Sequence, residues 1–87
     1  MEQIAKPPLD TIESITFFKR DELTTDLICC EINANGQTHL YHEEWEGWED
    51  LIADLEGIDG FRRDWFSKVS QPPFSASRFL AFESRAE

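Results

Sequence analysis

The chain has 87 residues, a formal net charge of −10, and a composition that is 40% hydrophobic, 13% aromatic and 30% charged. These values exclude disordered, collagen-like and low-complexity proteins, and the length favours one domain with one hydrophobic core. No uninterrupted apolar run is longer than four residues, so the sequence predicts no transmembrane helix. The opening residues MEQIAKPPLD lack the apolar stretch of a signal peptide, and we therefore predict a cytoplasmic protein.

The sequence pattern predicts a single α+β domain over residues 12–84, with an N-terminal tail (1–11) and a C-terminal tail (85–87). Strands are predicted where β-branched and aromatic residues are frequent, at 12–20, 26–33, 37–43 and 77–83. Residues 20–25 interrupt this pattern and are expected to form a turn. Two helices between the third and fourth strands complete the order β-β-β-α-α-β, which favours a two-layer sandwich of an antiparallel three-strand meander with helices on one side.

A tight hairpin is predicted at Asn35-Gly36, because both central residues of a type I′ turn need positive φ. This turn would pair Ile32 with His39, Cys30 with Tyr41, and Cys29 with His42. One face of the hairpin would then carry Ile28, Cys30, Ile32, His39 and Tyr41, and we expect this face to form the core. The other face would carry Leu27, Cys29, Glu31, Leu40 and His42, and a register slip of one residue would exchange the two faces.

The first helix is predicted over residues 45–58, where the hydrophobic period becomes helical. One stripe of this helix carries Trp45, Trp48, Leu51, Ile52, Leu55 and Ile58. Gly57 is expected at its C-terminal end. Acidic residues near that end oppose the helix dipole, and Arg62 or Arg63 could compensate if the following segment folds back.

The second helix is predicted over residues 60–69, capped by Asp59, with Phe61, Trp65 and Val69 repeating on one side. Pro72-Pro73 should end it, and residues 70–74 are expected to be a rigid connector with Phe74 in the core.

The last strand, residues 77–83, should return beside the first strand. Alternation would put Arg78, Leu80 and Phe82 on one face and Phe79 and Ala81 on the other. Because both faces are partly apolar, the pattern favours a place inside the sheet over a place at its edge.

Charge is distributed unevenly along the chain. The stretch from Asp21 to Phe61 holds twelve acidic residues and no Lys or Arg. Such a field repels nucleic-acid phosphates and anionic membranes, so we expect neither as a direct partner. It attracts a basic protein, and we predict a partner of that kind.

Cys29, His39, His42 and Glu43 contain the side-chain types that bind zinc. Their spacing is weak for a metal site, because two histidines three residues apart face opposite sides of a strand. Adjacent Cys29 and Cys30 point apart as well, so no disulfide is expected between them. We predict no cofactor, and a metal- or small-ligand-binding domain centred on this hairpin is kept as an alternative.

Catalytic motifs are missing from the sequence. It has no GxSxG elbow and no glycine-rich phosphate loop, and its paired carboxylates lie on an expected solvent-exposed helix. A Cys29–His42 pair across the hairpin would have a base but no evident oxyanion donor. We therefore predict that the protein is not an enzyme.

The strongest candidate for an interaction site is the acidic segment that contains Trp45. Like-charge neighbours within it oppose helix formation, which a cationic partner surface would relieve. The predicted partner-binding residues are Glu43, Glu44, Trp45, Glu46, Glu49, Asp50 and Asp54. Imitation of nucleic-acid phosphates is one variant of this hypothesis.

Another alternative is a self-associating structural domain, in which the basic segment of one copy meets the acidic segment of another. We expect a monomer or a weak homodimer.

Overall fold

The computed structural model describes residues 7–21, 26–70 and 77–84. A 3-10 helix at Leu9–Thr11 precedes four strands and two helices. They are β1 (Ile12–Asp21), β2 (Asp26–Ala34), β3 (Gln37–His42), α1 (Trp48–Glu56), α2 (Trp65–Ser70) and β4 (Ser77–Glu83). Neither of these two helices is long and apolar enough to span a membrane. The turn predicted at residues 20–25 is wrong for Arg20 and Asp21, which belong to β1. Residues 22–25 of that turn and the predicted connector around Phe74 lie outside the described residues.

The four strands form one antiparallel sheet in the order β3-β2-β1-β4. Both helices contribute buried side chains to a core on one face of this sheet. The α+β class, the order of elements and the place of β4 beside β1 are therefore confirmed. The prediction that β4 lies inside the sheet is wrong, because only β1 pairs with it among the described strands.

The hairpin between β2 and β3 has the predicted turn and register. Asn35 and Gly36 have φ angles of 54° and 75°, as a type I′ turn requires. All three predicted cross-strand pairs are present. The face with Ile28, Cys30 and Ile32 is buried against the helices, which confirms the predicted core face.

The opposite face of the sheet is only partly exposed. Leu40 and Leu80 are open to solvent there, whereas Cys29 is buried. Cys29 pairs with Phe18 on one side and with His42 on the other. Larger side chains on both neighbouring strands therefore flank the small thiol, and alternation alone does not reveal this.

A register shift changes the faces of β4. Thr16 pairs with Leu80, but the preceding Ile15 pairs with Phe82, so Ala81 is an extra residue. Phe82 therefore packs against the core together with Phe79. The prediction that Phe82 shares a face with Leu80 is wrong, because a β-bulge reverses the alternation beyond it.

Both helices begin later than predicted. Gly47 has a φ of 96°, so the helical path of α1 starts at Trp48 and leaves Trp45 in the preceding turn. Gly60 has a φ of 93°, and the N–H of Arg62 donates to the carbonyl of Ala81 at 2.8 Å. This contact with β4 holds the chain outside the helix until Trp65, although the predicted trio Phe61, Trp65 and Val69 is buried.

The C-terminal end of α1 is compensated as predicted. The guanidinium group of Arg63 donates a hydrogen bond of 3.2 Å to the carbonyl oxygen of Glu56. A cation at this position offsets the negative end of the helix dipole. Gly57 follows the helix as expected, but with a φ of −83°, so the ending does not use a left-handed residue.

Candidate functional site

Residues 43–47 connect β3 to α1 through two successive tight turns. The N–H of Trp45 donates to the carbonyl of His42 at 3.0 Å, and the N–H of Trp48 donates to the carbonyl of Trp45 at 3.2 Å. The left-handed Gly47 then directs the chain into the helix. The predicted acidic segment is therefore a compact turn followed by a helix, and not one continuous helix.

The first acidic residue of this turn is held by the sheet. The carboxylate of Glu43 accepts a hydrogen bond of 2.9 Å from the N–H of Ile28, and the N–H of Glu43 donates to the carbonyl of Ile28 at 2.9 Å. Glu43 thus extends the pairing of β2 with β3 by its backbone and its side chain. Its carboxylate keeps a fixed position at the start of the turn.

The turn and the first residues of α1 enclose a shallow groove of about 310 Å³, which we call the acidic groove. Its lining is formed by Glu43, Trp45, Glu46, Gly47, Trp48, Glu49 and Asp50. The structure therefore brings together five of the seven predicted partner-binding residues. Glu44 and Asp54 do not line this groove.

The carboxylates of Glu46, Glu49 and Asp50 are exposed, and no ion pair involves them within the described residues. Like charges close together raise each other's electrostatic energy, and a cation placed among them lowers it. Because Glu46 lies in the turn, the predicted helical repulsion between Glu46 and Glu49 or Asp50 does not arise from α1 itself.

Trp45 leaves 37% of its surface exposed and does not belong to the core cluster. Its ring packs on His42, with centroids 4.7 Å apart, and edge-to-face on Tyr41, with centroids 6.2 Å apart. The tryptophan is thus held in place by β3 while part of it faces solvent. A fixed, half-exposed aromatic ring is typical of residues that anchor protein interfaces.

A second groove of about 300 Å³ lies between α1 and α2, and we call it the apolar groove. Its lining is formed by Ile28, Glu43, Trp48, Glu49, Ile52, Ala53, Glu56, Trp65 and Phe66. Three of these residues, Glu43, Trp48 and Glu49, also line the acidic groove, so the two grooves are adjacent. Sequence reasoning missed the apolar groove. The available signal was Phe66, a large apolar residue outside the buried repeat of α2 and therefore without an expected place in the core.

The weak metal candidates are not brought together. His39 pairs with Ile32 and His42 pairs with Cys29, so the two histidines lie on opposite faces of the sheet. Within the described ranges, no group of three His, Cys, Asp or Glu side chains could hold a metal ion. The carboxylate of Glu43 is instead engaged by the backbone of Ile28.

The two thiols are buried and separate. The Sγ of Cys29 donates a hydrogen bond of 3.9 Å to the carbonyl oxygen of Leu27. Burial raises the pKa of the Cys30 thiol far above its ordinary range, and the neighbouring Cys29 and Glu31 add to this shift. A thiol that stays protonated is a poor nucleophile, so Cys30 is suited to packing in the core.

Comparison of the chain with protein-family models, with curated proteins and with solved structures found no significant match. The fold and the two grooves define a small α+β domain with an acidic, partly apolar concave surface beside its first helix. The chemistry of that surface carries the functional conclusion.

Proposed function

We propose that the chain is a non-enzymatic, cytoplasmic protein-interaction domain that binds a basic protein through the acidic groove. The observation that carries this proposal is the convergence of Glu46, Glu49 and Asp50 with Trp45 around one groove. Three carboxylates supply attraction for lysine or arginine, and the half-exposed tryptophan supplies apolar contact. If the partner uses the same basic surface for another interaction, binding to this chain regulates the partner by blocking that interaction.

The electrostatic part of this binding should depend strongly on salt. Charges on an exposed surface are screened over roughly 8 Å at physiological ionic strength. We therefore expect a lysine-rich peptide to bind at low salt and to bind much more weakly when the salt is raised. Isothermal titration calorimetry at several salt concentrations measures this dependence.

The decisive variant reverses the charges of the groove, with Glu46→Lys, Glu49→Lys and Asp50→Lys combined. A matched control reverses three exposed acids elsewhere, Asp10, Glu13 and Glu83, so that both variants have the same net charge. We expect the groove variant to lose peptide binding and the control to keep most of it. Equal losses would show that only net charge matters and would refute the site.

Folding must be controlled separately, because lysines at Glu49 and Asp50 also oppose the dipole of α1. The neutral variant with Glu49→Gln and Asp50→Asn keeps the shape of both side chains and removes their charge. We expect an intermediate loss of binding with an unchanged circular-dichroism spectrum.

A further inference from the structure

The walls of the apolar groove are fixed by the core. Phe17 is fully buried, and the ring of Trp65 stacks on it with centroids 3.8 Å apart and an interplanar angle of 13°. Trp48 meets the same ring edge-to-face at 6.4 Å. Both tryptophans of the groove are therefore held by one buried phenylalanine, and the cavity exists before any ligand arrives.

The mouth of the groove is apolar and open. Phe66 is 55% exposed and packs edge-to-face on Trp65, with centroids 5.6 Å apart. On the opposite wall, Ala53 is exposed on α1 and leaves space that a longer side chain would fill. Its volume of about 300 Å³ is at the lower end of the range for ligand pockets, roughly 300–1,000 Å³. A cavity of this size suits a large apolar side chain better than an extended cofactor.

Charge around the groove selects the kind of chain that can bring such a side chain. Glu43, Glu49 and Glu56 all contribute to its lining, and the acidic groove lies beside it. A neutral or acidic apolar segment would bring no cation to these carboxylates, whereas lysine or arginine beside the apolar anchor would match their charge. The occupant must therefore combine a large apolar residue with flanking cations.

We infer that the apolar groove binds a large apolar side chain from a basic amphipathic segment of the partner, whose cations contact the acidic groove. This inference rests on the proposed function and gives it a specificity determinant. Charge attracts many basic chains, but the apolar groove selects those that carry an apolar anchor. The anchor side chain contacts Trp48, Ile52, Trp65 and Phe66 in this arrangement.

Two synthetic peptides test this inference. One contains only Lys and Leu in an amphipathic helical pattern, and the other has the same length and charge with Ser in place of every Leu. Neither contains tryptophan, so the fluorescence comes from the three tryptophans of the protein, two of which line the apolar groove. Calorimetry at low salt gives both affinities. We expect the Lys–Leu peptide to bind at least about tenfold more tightly, since loss of a buried anchor at a hot spot commonly costs more than the about 1.4 kcal/mol that tenfold represents.

The protein variants locate the binding. Phe66→Ala removes one wall, and Ala53→Gln narrows the cavity with a residue that favours helix. Leu80→Ala is the matched control, because Leu80 is similarly exposed at 47% but lies on the opposite face of the sheet. We expect both groove variants to lower the affinity for the Lys–Leu peptide by about fivefold or more. Neither should affect the Lys–Ser peptide, and the control should leave both affinities unchanged.

The other outcomes separate this inference from the proposed function. If both peptides bind equally and only the acidic-groove variant weakens them, the inference is wrong and the proposed function stands. If neither peptide binds at low salt, both are wrong. If sedimentation shows that the unliganded protein is a dimer which Phe66→Ala converts to a monomer, the groove binds a second copy of the chain, and the inference is overturned.

Discussion

The N–H of Ile28 and the carboxylate of Glu43 form a hydrogen bond of 2.9 Å, and the backbone of Glu43 returns a second bond of the same length to the carbonyl of Ile28. One residue thereby ends the ladder between β2 and β3 and begins the turn that carries the acidic groove. Glu43 also lines both grooves. Its role in folding and its role in binding are consequently coupled.

Glu43→Ala should lower the free energy of unfolding by about 1–2 kcal/mol, because the N–H of Ile28 loses its charged acceptor. Glu43→Gln keeps an acceptor oxygen and should lower the free energy of unfolding by less than Glu43→Ala does. The control is Glu44→Ala, at an exposed position, which should change the free energy of unfolding by no more than about 0.5 kcal/mol. Urea denaturation gives all three values. Equal effects at positions 43 and 44 would contradict the anchoring role of Glu43.

Two tryptophans should differ sharply in their contribution to stability. Trp65 is buried and stacks on Phe17, so Trp65→Ala should cost about 3–5 kcal/mol, with Trp65→Phe costing clearly less. Trp45 is half-exposed and packs on His42 and Tyr41, so Trp45→Ala should cost about 1 kcal/mol. Thermal and urea unfolding measure both. A large loss for Trp45→Ala would place its ring in the core and remove it as a free anchor.

Alkaline pH should destabilise the fold through Cys30. Burial raises the pKa of this thiol, so in the unfolded chain it ionises from its ordinary value of 9.0 while in the folded chain it stays protonated. The folded state then holds the extra proton, and stability falls as the pH rises above that value, by up to about 1.4 kcal/mol per pH unit for one proton. Burial also raises the pKa of Tyr41, which acts in the same direction at higher pH.

Urea denaturation at several pH values between about 7 and 10 measures how the free energy of unfolding changes with pH. This pH range spans the ordinary ionisation of a thiol. Cys30→Ala should be less stable at neutral pH because it leaves a cavity, yet it should lose less stability between neutral and alkaline pH. An identical alkaline slope in the wild type and in the variant would show that Cys30 is not the responsible group.

Two glycines should respond oppositely to alanine. Gly36 has a φ of 75° with open space around it, so Gly36→Ala should cost about 1 kcal/mol from backbone conformation alone. Gly57 has a φ of −83°, and an added Cβ would lie 3.5 Å from the carbonyl oxygen of Asp54, an ordinary contact. Gly57→Ala should therefore be neutral or stabilising by up to about 1 kcal/mol. Differential scanning calorimetry separates the two outcomes.

The hairpin could be predicted in detail because its determinants are local. Asn35-Gly36 specifies the turn, the turn specifies the register, and the alternation of apolar residues then decides which face is buried. The same reasoning failed for β4, where an extra residue at Ala81 reverses the alternation and brings Phe82 to the core. That bulge arises from pairing with β1, which is distant in sequence.

Helix periodicity was predicted better than the helix ends. The predicted stripe packs against the core from Trp48 to Ile58, but its first residue, Trp45, does not. The start of α1 depended on the left-handed conformation of Gly47, and the start of α2 depended on a hydrogen bond between Arg62 and Ala81. The second of these contacts is tertiary, and periodicity contains no information about it.

The sequence by itself determined the class of fold, the hairpin register and the set of acidic residues available for binding, because these follow from turn chemistry, hydrophobic alternation and charge. Only the tertiary structure decided that Glu46, Glu49 and Asp50 surround one groove with Trp45. It also decided that α1 and α2 leave an apolar cavity beside it. The physical reason is that a concave surface forms between elements, so its shape depends on packing contacts such as those of Phe17 with both tryptophans.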